Sequence, residues 1–289
     1  MRVLHTAARN GLPDLASDVL RALKVQGIPW REQHFAPLVI SFCHQKQLKS
    51  AFQVLPIMRS AGVDPLPETA LPILNLMSTS IDEFDAVWSI LDELDTEKQE
   101  IDVLVLNCMI KAAVHLNDLQ RAVGAYKSYA DYKVAPDQDT YHSLLDGAIQ
   151  ASHRQIGDLV LADMKTADIK PNRDTFQKMI SLCLTQSTYE DAFFYLEELK
   201  AAGYVPSRDT YYQLVDTCCL AGDQRYTIAI DDMLECGHDV PSSYRTDMSR
   251  RFREASAVKQ QAAIRGAGLQ GAAQRFIESA GALDAKLQQ

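Results

Sequence analysis

Apolar and polar residues follow each other along this chain with the spacing of amphipathic helices, and the pattern returns at a fixed interval. A threonine and an aromatic residue are followed by two apolar residues, three and four positions after the aromatic. This motif occurs at Thr140–Leu145, Thr175–Ile180 and Thr210–Val215, with 35 residues between successive copies. Apolar residues with spacings of three and four lie on one face of an α-helix. The pattern therefore predicts repeated helices that each bury one face.

Prolines and glycines mark where each repeat ends. The prolines keep the same step of 35 residues, at Pro136, Pro171, Pro206 and Pro241. Proline cannot continue a helix, so each is expected to stop a second helix before the next repeat begins. Gly62 and Gly203 stand where a helix C-terminus favours a left-handed residue. Each repeat is thus predicted to be a helix–turn–helix.

Extending this register in both directions divides residues 1–242 into repeats. The predicted units are a partial unit 1–31, then 32–66, 67–102, 103–137, 138–172, 173–207 and 208–242. The second helices carry small residues where helices would cross closely, at Ala16, Ala51, Ala86, Ala122, Gly157 and Ala192. Neither helix of a unit can bury its apolar face alone, so neighbouring units must stack. The expected fold is all-α, a right-handed α-solenoid superhelix.

Charge separates this body from the remaining residues. Residues 243–289 carry eight Lys/Arg against four Asp/Glu, whereas residues 1–242 carry 21 against 34. An acidic body is unusual for a nucleic-acid-binding protein, which normally offers positive charge to phosphates. The basic segment leaves the repeat register, and we predict that it forms a helical cap on the last unit. Met248 and Phe252 would lie on its docking face, and a second, looser helix is expected around residues 274–287.

The sequence contains no recognisable catalytic or metal centre. The six cysteines form no CxxC pair and have no zinc-site spacing, which favours reduced thiols packed in or near helices. A G-x-G-x-x-G run at residues 266–271 lacks the preceding strand of a dinucleotide site, so it is interpreted as a hinge. We therefore predict no enzyme activity, no cofactor, no metal and no small-molecule substrate. No apolar run approaches the roughly 18 residues of a membrane span.

The Thr–aromatic motif, the small residue of the second helix and the closing proline together resemble the P-type repeats of the pentatricopeptide repeat family. The resemblance covers residues 1–242, and the first units are similar in style to fungal mitochondrial members. By this register Met1 falls inside a first helix, so the chain is expected to begin within a repeat. The chain shows no import signal, and the resemblance implies the mitochondrial matrix as its location.

In that family each repeat presents one RNA base to its fifth and last residues, with an aliphatic second residue as a wedge. The resemblance implies that Asn107 and Asp137 form a base-reading pair of the standard kind, favouring uridine, with Leu104 as wedge. The other base-reading candidates are His142 with Asn172, Gln177 with Ser207, and Tyr212 with Ser242. The phosphate-contact candidates are Lys111 and Arg9.

Other features of the same positions weaken this expectation. Asp139, Asp174 and Asp209 occupy wedge positions, where carboxylates repel a phosphodiester, although they also complement a helix dipole. Asn107 could equally be a solvated asparagine and Asp137 a helix N-cap.

The leading hypothesis is a non-catalytic organellar adaptor in RNA metabolism, acting in mRNA stability, processing or translation. It would bind single-stranded RNA, weakly or through a few units, or a ribonucleoprotein. The alternative is an acidic helical-repeat scaffold that binds basic protein segments. A third possibility is an accessory subunit of an enzyme.

Overall fold

Helices make up the regular structure of this chain in the computed structural model, which describes residues 1–261. No residue in that range lies in a β-strand. The helices are α1 Arg2–Asn10, α2 Pro13–Val25, α3 Glu32–His44, α4 Leu48–Ser60, α5 Pro67–Met77, α6 Ile81–Thr96, α7 Val103–His115, α8 Leu119–Asp131, α9 Gln138–Gln150, α10 Arg154–Thr166, α11 Arg173–Leu184, α12 Glu190–Ala201, α13 Arg208–Leu220 and α14 Tyr226–Glu235. Residues 242–261 are also helical (α15). The all-α class is confirmed.

The described residues divide into two compact units, residues 1–186 and residues 187–261. In the first unit, the first helices of successive repeats pack against one another in the order α1, α3, α5, α7, α9, α11. Each second helix packs against the first helix of its own repeat. In the second unit α13 packs against α14. Helix pairs stacked in this way form the helical repeat solenoid that the sequence predicts.

The first helices begin with N-cap hydrogen bonds that recur from repeat to repeat. Helices α7, α9, α11 and α13 begin 35 residues apart. The side chains of Asp137 and Asn172 accept hydrogen bonds from the backbone N–H groups of Thr140 and Thr175, both at 2.9 Å. Each threonine hydroxyl accepts in return from the backbone N–H of its cap residue, which completes a capping box. The threonine of the sequence motif is therefore a helix-start residue.

The second helices end in a left-handed residue. Gly62 and Gly203 have φ of 74° and 84°, as predicted. Lys98, Lys133 and Asp168 occupy the equivalent place in the intervening repeats with φ of 55°, 56° and 54°. The turn thus keeps its left-handed geometry where the sequence has no glycine.

Small residues are buried at the helix crossings, with one exception. Those that are fully buried are Ala16, Ala51, Ala122 and Ala192. A Cβ added to Gly157 would overlap Cδ2 of Leu182. The assignment of Ala86 to a crossing is wrong, because Ala86 is exposed and Val87 is buried in its place. Unit 67–102 has one residue more than its neighbours, which moves the buried position along by one.

The start of the basic segment packs on the last repeat. Met248 is 2% exposed, and the ring of Phe252 lies 5.0 Å from that of Tyr226. Arg251 lies 3.5 Å from a carboxylate oxygen of Asp216. These are the contacts expected of Met248 and Phe252 on a docking face. The glycine motif at 266–271 and the helix expected around 274–287 lie outside the described residues.

The cysteines are packed in or next to helices, as predicted, and all except Cys236 are buried. Burial raises the pKa of Cys43, Cys108 and Cys218 to about 12. In the part of the chain that the structure describes, no helix combines the length and apolar content needed to cross a membrane.

Candidate functional site

The predicted base-reading pair of unit 103–137 is brought together by the fold. Asn107 lies on the second turn of α7, and Asp137 caps the N-terminus of α9. The Nδ2 atom of Asn107 donates to Oδ1 of Asp137 at 3.1 Å. Stacking of first helices explains this contact, because it places the middle of one helix beside the start of the next. The fifth and last residues of this repeat therefore form one polar group.

Asn107 is held by more partners than Asp137 alone. Its Oδ1 atom accepts hydrogen bonds from the hydroxyls of Tyr129 and Thr140, each at 2.7 Å. Asn107 is only 1% exposed, so the interpretation as a solvated asparagine is wrong. The interpretation of Asp137 as an N-cap is confirmed by its bond to the Thr140 backbone. The capping role and the contact with Asn107 occur together.

A narrow cleft of about 40 Å³ leads to Asn107 between α5 and α7. Leu71 and Leu104 supply apolar walls, while Lys111 and Asp139 line the same cleft. Leu104, the proposed wedge, is buried. The Nζ atom of Lys111 lies 2.6 Å from Oδ2 of Asp139, so the phosphate-contact candidate is paired with the carboxylate at the next wedge position. The ion pair thus lies at the lining of the cleft.

The following repeat has a related arrangement. The Nε2 atom of His142 lies 2.9 Å from the Thr175 hydroxyl, and Asn172 caps the same helix. Burial is the main cause that lowers the pKa of His142, and the nearby charge of Lys178 lowers it further. His142 is therefore a neutral ring next to a helix start near pH 7. Histidine and asparagine here both approach Thr175, as Asn107 and Asp137 both approach Thr140.

The remaining candidates do not form such groups within the described contacts. The Nε2 atom of Gln177 is buried and has no hydrogen-bond partner among residues 1–261, and the Ser207 side chain caps α13. The centre of the Tyr212 ring lies 4.7 Å from that of the Tyr244 ring. Tyr244 follows Ser242 by two residues at the start of α15. Arg9 is exposed in the last turn of α1.

Two earlier repeats present a different surface. Leu66 and Leu71, at a last and a fifth position, are 49% and 47% exposed. Asp102, the last residue of unit 67–102, is buried and accepts hydrogen bonds from both Arg59 and the backbone of Leu104. The leucine side chain has no polar atom that could bond to a base edge, and the Asp102 carboxylate already binds Arg59. In unit 103–137, by contrast, the two predicted base-reading residues are joined by a direct hydrogen bond.

Tyr129, Thr140 and Thr175 contact the predicted base-reading residues Asn107 and His142, and the sequence pattern did not single them out as site residues. Thr140 and Thr175 were visible only as part of the repeat motif. Tyr129 stands at the twenty-seventh position of its unit, where other repeats carry the buried apolar residues Met58, Met164 and Leu199. This departure from the repeat pattern was the available signal. Among the described residues, no group of three or more His, Cys, Asp or Glu could hold a metal ion.

Two family models match the chain, and both describe pentatricopeptide repeats. One, "Pentatricopeptide repeat-containing protein", matches residues 1–129, and the other, "Pentatricopeptide repeat domain", matches residues 126–186 and 159–221. Together they extend over most of the predicted repeats.

Curated relatives and solved structures carry the same description. The chain is 36% identical over 66 residues to the leucine-rich PPR motif-containing protein, mitochondrial, of Rattus norvegicus, and 32% identical over 90 residues to that of Mus musculus. These matches cover 23% and 31% of this chain but only 5% and 6% of the relatives. The crystal structure of the pentatricopeptide repeat protein PPR10 from maize is similar with a TM-score of 0.45 and 18% identity, over 91% of this chain and 42% of that one.

Proposed function

The chain belongs to the pentatricopeptide repeat family, and we propose that it binds single-stranded RNA along the first helices of its repeats without a catalytic step. The observation that carries this proposal is the contact between Asn107 and Asp137. It joins the amide of Asn107, which lines the cleft, to a carboxylate, and such groups recognise the hydrogen-bonding edge of an unstacked base. Unit 103–137 is the proposed centre of recognition.

The cleft beside this pair supports the same function. Leu104 lines this cleft with an apolar side chain, and Lys111 offers a charge for phosphate. The charge of Lys111 becomes available to phosphate when its ion pair with Asp139 opens. RNA binding is therefore proposed to be weak for an array of this length and steeply dependent on salt.

Binding of labelled dodecauridylate, followed by fluorescence anisotropy between about 50 and about 200 mM salt, tests this function. The proposal expects saturable binding that weakens as salt rises. Lack of saturable binding at the lower salt concentration would contradict it.

A protein-binding scaffold is the second candidate function, favoured by the charge of the first helices. Asp174 and Asp209 are exposed at wedge positions, where an RNA backbone would pass. Carboxylates at these places attract lysine and arginine side chains and repel phosphates. Dodecalysine in the same assay distinguishes the two functions. Saturable binding of dodecalysine without binding of dodecauridylate would favour the scaffold.

We further propose a mitochondrial location, specifically the matrix, and a role in mRNA stability, processing or translation. The names of the two curated relatives place those proteins in mitochondria. Fractionation of the source cells, with an antibody against this chain, tests the location. Recovery outside mitochondria would contradict it.

A further inference from the structure

We propose that Tyr129 is a positioning residue for base recognition, because its hydroxyl fixes the orientation of the Asn107 amide. The inference rests on the proposed RNA-binding function and adds a residue on a second helix to it. Tyr129 lies on α8 and is buried, so it does not itself face a ligand. It acts through Asn107.

The hydrogen bonds around Asn107 account for both lone pairs of its carbonyl. Tyr129 and Thr140 each donate to Oδ1 at 2.7 Å, and an amide oxygen has two lone pairs. The Nδ2 group has two hydrogens, of which one is donated to Asp137. Asn107 therefore has an N–H left to offer a ligand, and its carbonyl is occupied.

The reverse orientation of the amide is disfavoured by the same neighbours. It would turn Oδ1 towards the Asp137 carboxylate, where two acceptors would face each other. It would also deprive the Tyr129 hydroxyl of the acceptor that it has in Oδ1. A buried hydroxyl that loses its acceptor is costly, because water cannot replace it.

Tyr129 is a specific feature of the repeat that has asparagine at its fifth position. The same position of other repeats holds Met58, Met164 and Leu199, which are buried and carry no hydroxyl. A hydroxyl is not needed there for packing, since apolar side chains fill the place elsewhere. Its presence next to Asn107 points to a role in orienting the amide.

Orientation of the amide affects which bases are accepted. With the carbonyl occupied, Asn107 donates to a base carbonyl, and Asp137 accepts from a neighbouring ring N–H. Its Oδ2 atom is available for this, since the N–H groups of Asn107 and Thr140 both donate to Oδ1 of the Asp137 carboxylate. Uridine has this arrangement of O4 and N3–H. An amide that could turn would also offer its oxygen to the amino group of cytidine, so loss of Tyr129 should weaken discrimination against cytidine.

The test compares affinities for dodecauridylate and dodecacytidylate in the wild-type chain and in Tyr129→Phe. This change removes the hydroxyl and keeps the ring. We expect the wild type to prefer uridylate, and the variant to lose about three- to tenfold of that preference, the scale of one hydrogen bond. The matched control is Tyr126→Phe, on the same helix, whose hydroxyl donates to Asp163 at 2.8 Å and should leave the preference unchanged.

The outcomes separate this inference from the function on which it rests. A wild-type preference for uridylate that Tyr129→Phe leaves intact overturns the positioning role and spares RNA binding. Lack of RNA binding by the wild type overturns both. If Tyr129→Phe lowers the thermal midpoint more than the control does, Tyr129→Met supplies the same comparison, because methionine fills this position in two other repeats.

Discussion

Asn107 and Asp137 are separated by 30 residues, and the Nδ2 atom of the first donates to Oδ1 of the second at 3.1 Å. The same carboxylate oxygen accepts the backbone N–H of Thr140 at the start of α9. One side chain thus both caps the first helix of the next repeat and completes a polar pair within its own repeat. This double use links the packing of α7 against α9 to the geometry of the polar pair.

Removing the carboxylate that holds Lys111 should strengthen RNA binding. Asp139→Asn frees the Lys111 ammonium and removes a negative charge beside the cleft. We expect affinity for dodecauridylate to rise about two- to fivefold, since a partly exposed ion pair contributes little energy. Asp158→Asn, on α10, is the control of equal charge change and should have a smaller effect. Equal effects of the two variants would mean that the total charge of the protein, and not the cleft, governs binding.

The stability of the fold should be sensitive to added side-chain volume at Gly157, where α10 packs against α11. Gly157→Ala places a Cβ against the buried Leu182 and 3.2 Å from Sδ of Met179, so we expect a loss of about 1–2 kcal/mol of stability. Gly124→Ala, on α8, meets no atom within 4 Å and should gain up to about 1 kcal/mol from helix propensity. Urea denaturation measures both. Stabilisation by both changes would show that the crossing has room to relax.

How well each of these features can be predicted from the sequence depends on how far apart along the chain its residues lie. The starts of α9, α11 and α13 were predictable because a threonine and a proline mark them locally. The burial of Asn107 was not, because Tyr129 and Thr140 reach it from 22 and 33 residues away. The shift from Ala86 to Val87 was also missed, since the extra residue in that repeat moves the register by one.

The ion pair between Arg59 and Asp102 should stabilise the fold. The Asp102 side chain is 1% exposed, so Arg59→Met leaves a buried carboxylate without its partner. We expect a loss of about 2–3 kcal/mol, below the value for a fully buried pair because Arg59 is 37% exposed. Arg21→Met breaks an exposed pair with Asp18 and should cost less than about 0.5 kcal/mol. Urea denaturation that gives equal losses would contradict the importance of burial.

Stability should fall on acidification in part because of His142. Burial lowers its pKa in the folded state below the ordinary value of 6.5, so the unfolded chain binds the proton more readily. The stabilising contribution is therefore complete above about pH 7 and is lost as pH falls below about 6.5. Thermal midpoints at about pH 8 and about pH 5 should differ less in His142→Gln than in the wild type. An equal difference in both proteins would exclude His142 as a source of this dependence.

The most direct test of base recognition by unit 103–137 is the affinity of Asn107→Ala for dodecauridylate. Because Asn107 is buried, binding is measured at a temperature at which circular dichroism shows the variant to be folded. The proposed function predicts a loss of about 1–3 kcal/mol of binding free energy, the scale of a base-reading contact. Gln177→Ala, at the same position of unit 173–207, should lose less. Unchanged affinity of folded Asn107→Ala, beside a wild type that binds, would contradict recognition through the Asn107–Asp137 pair.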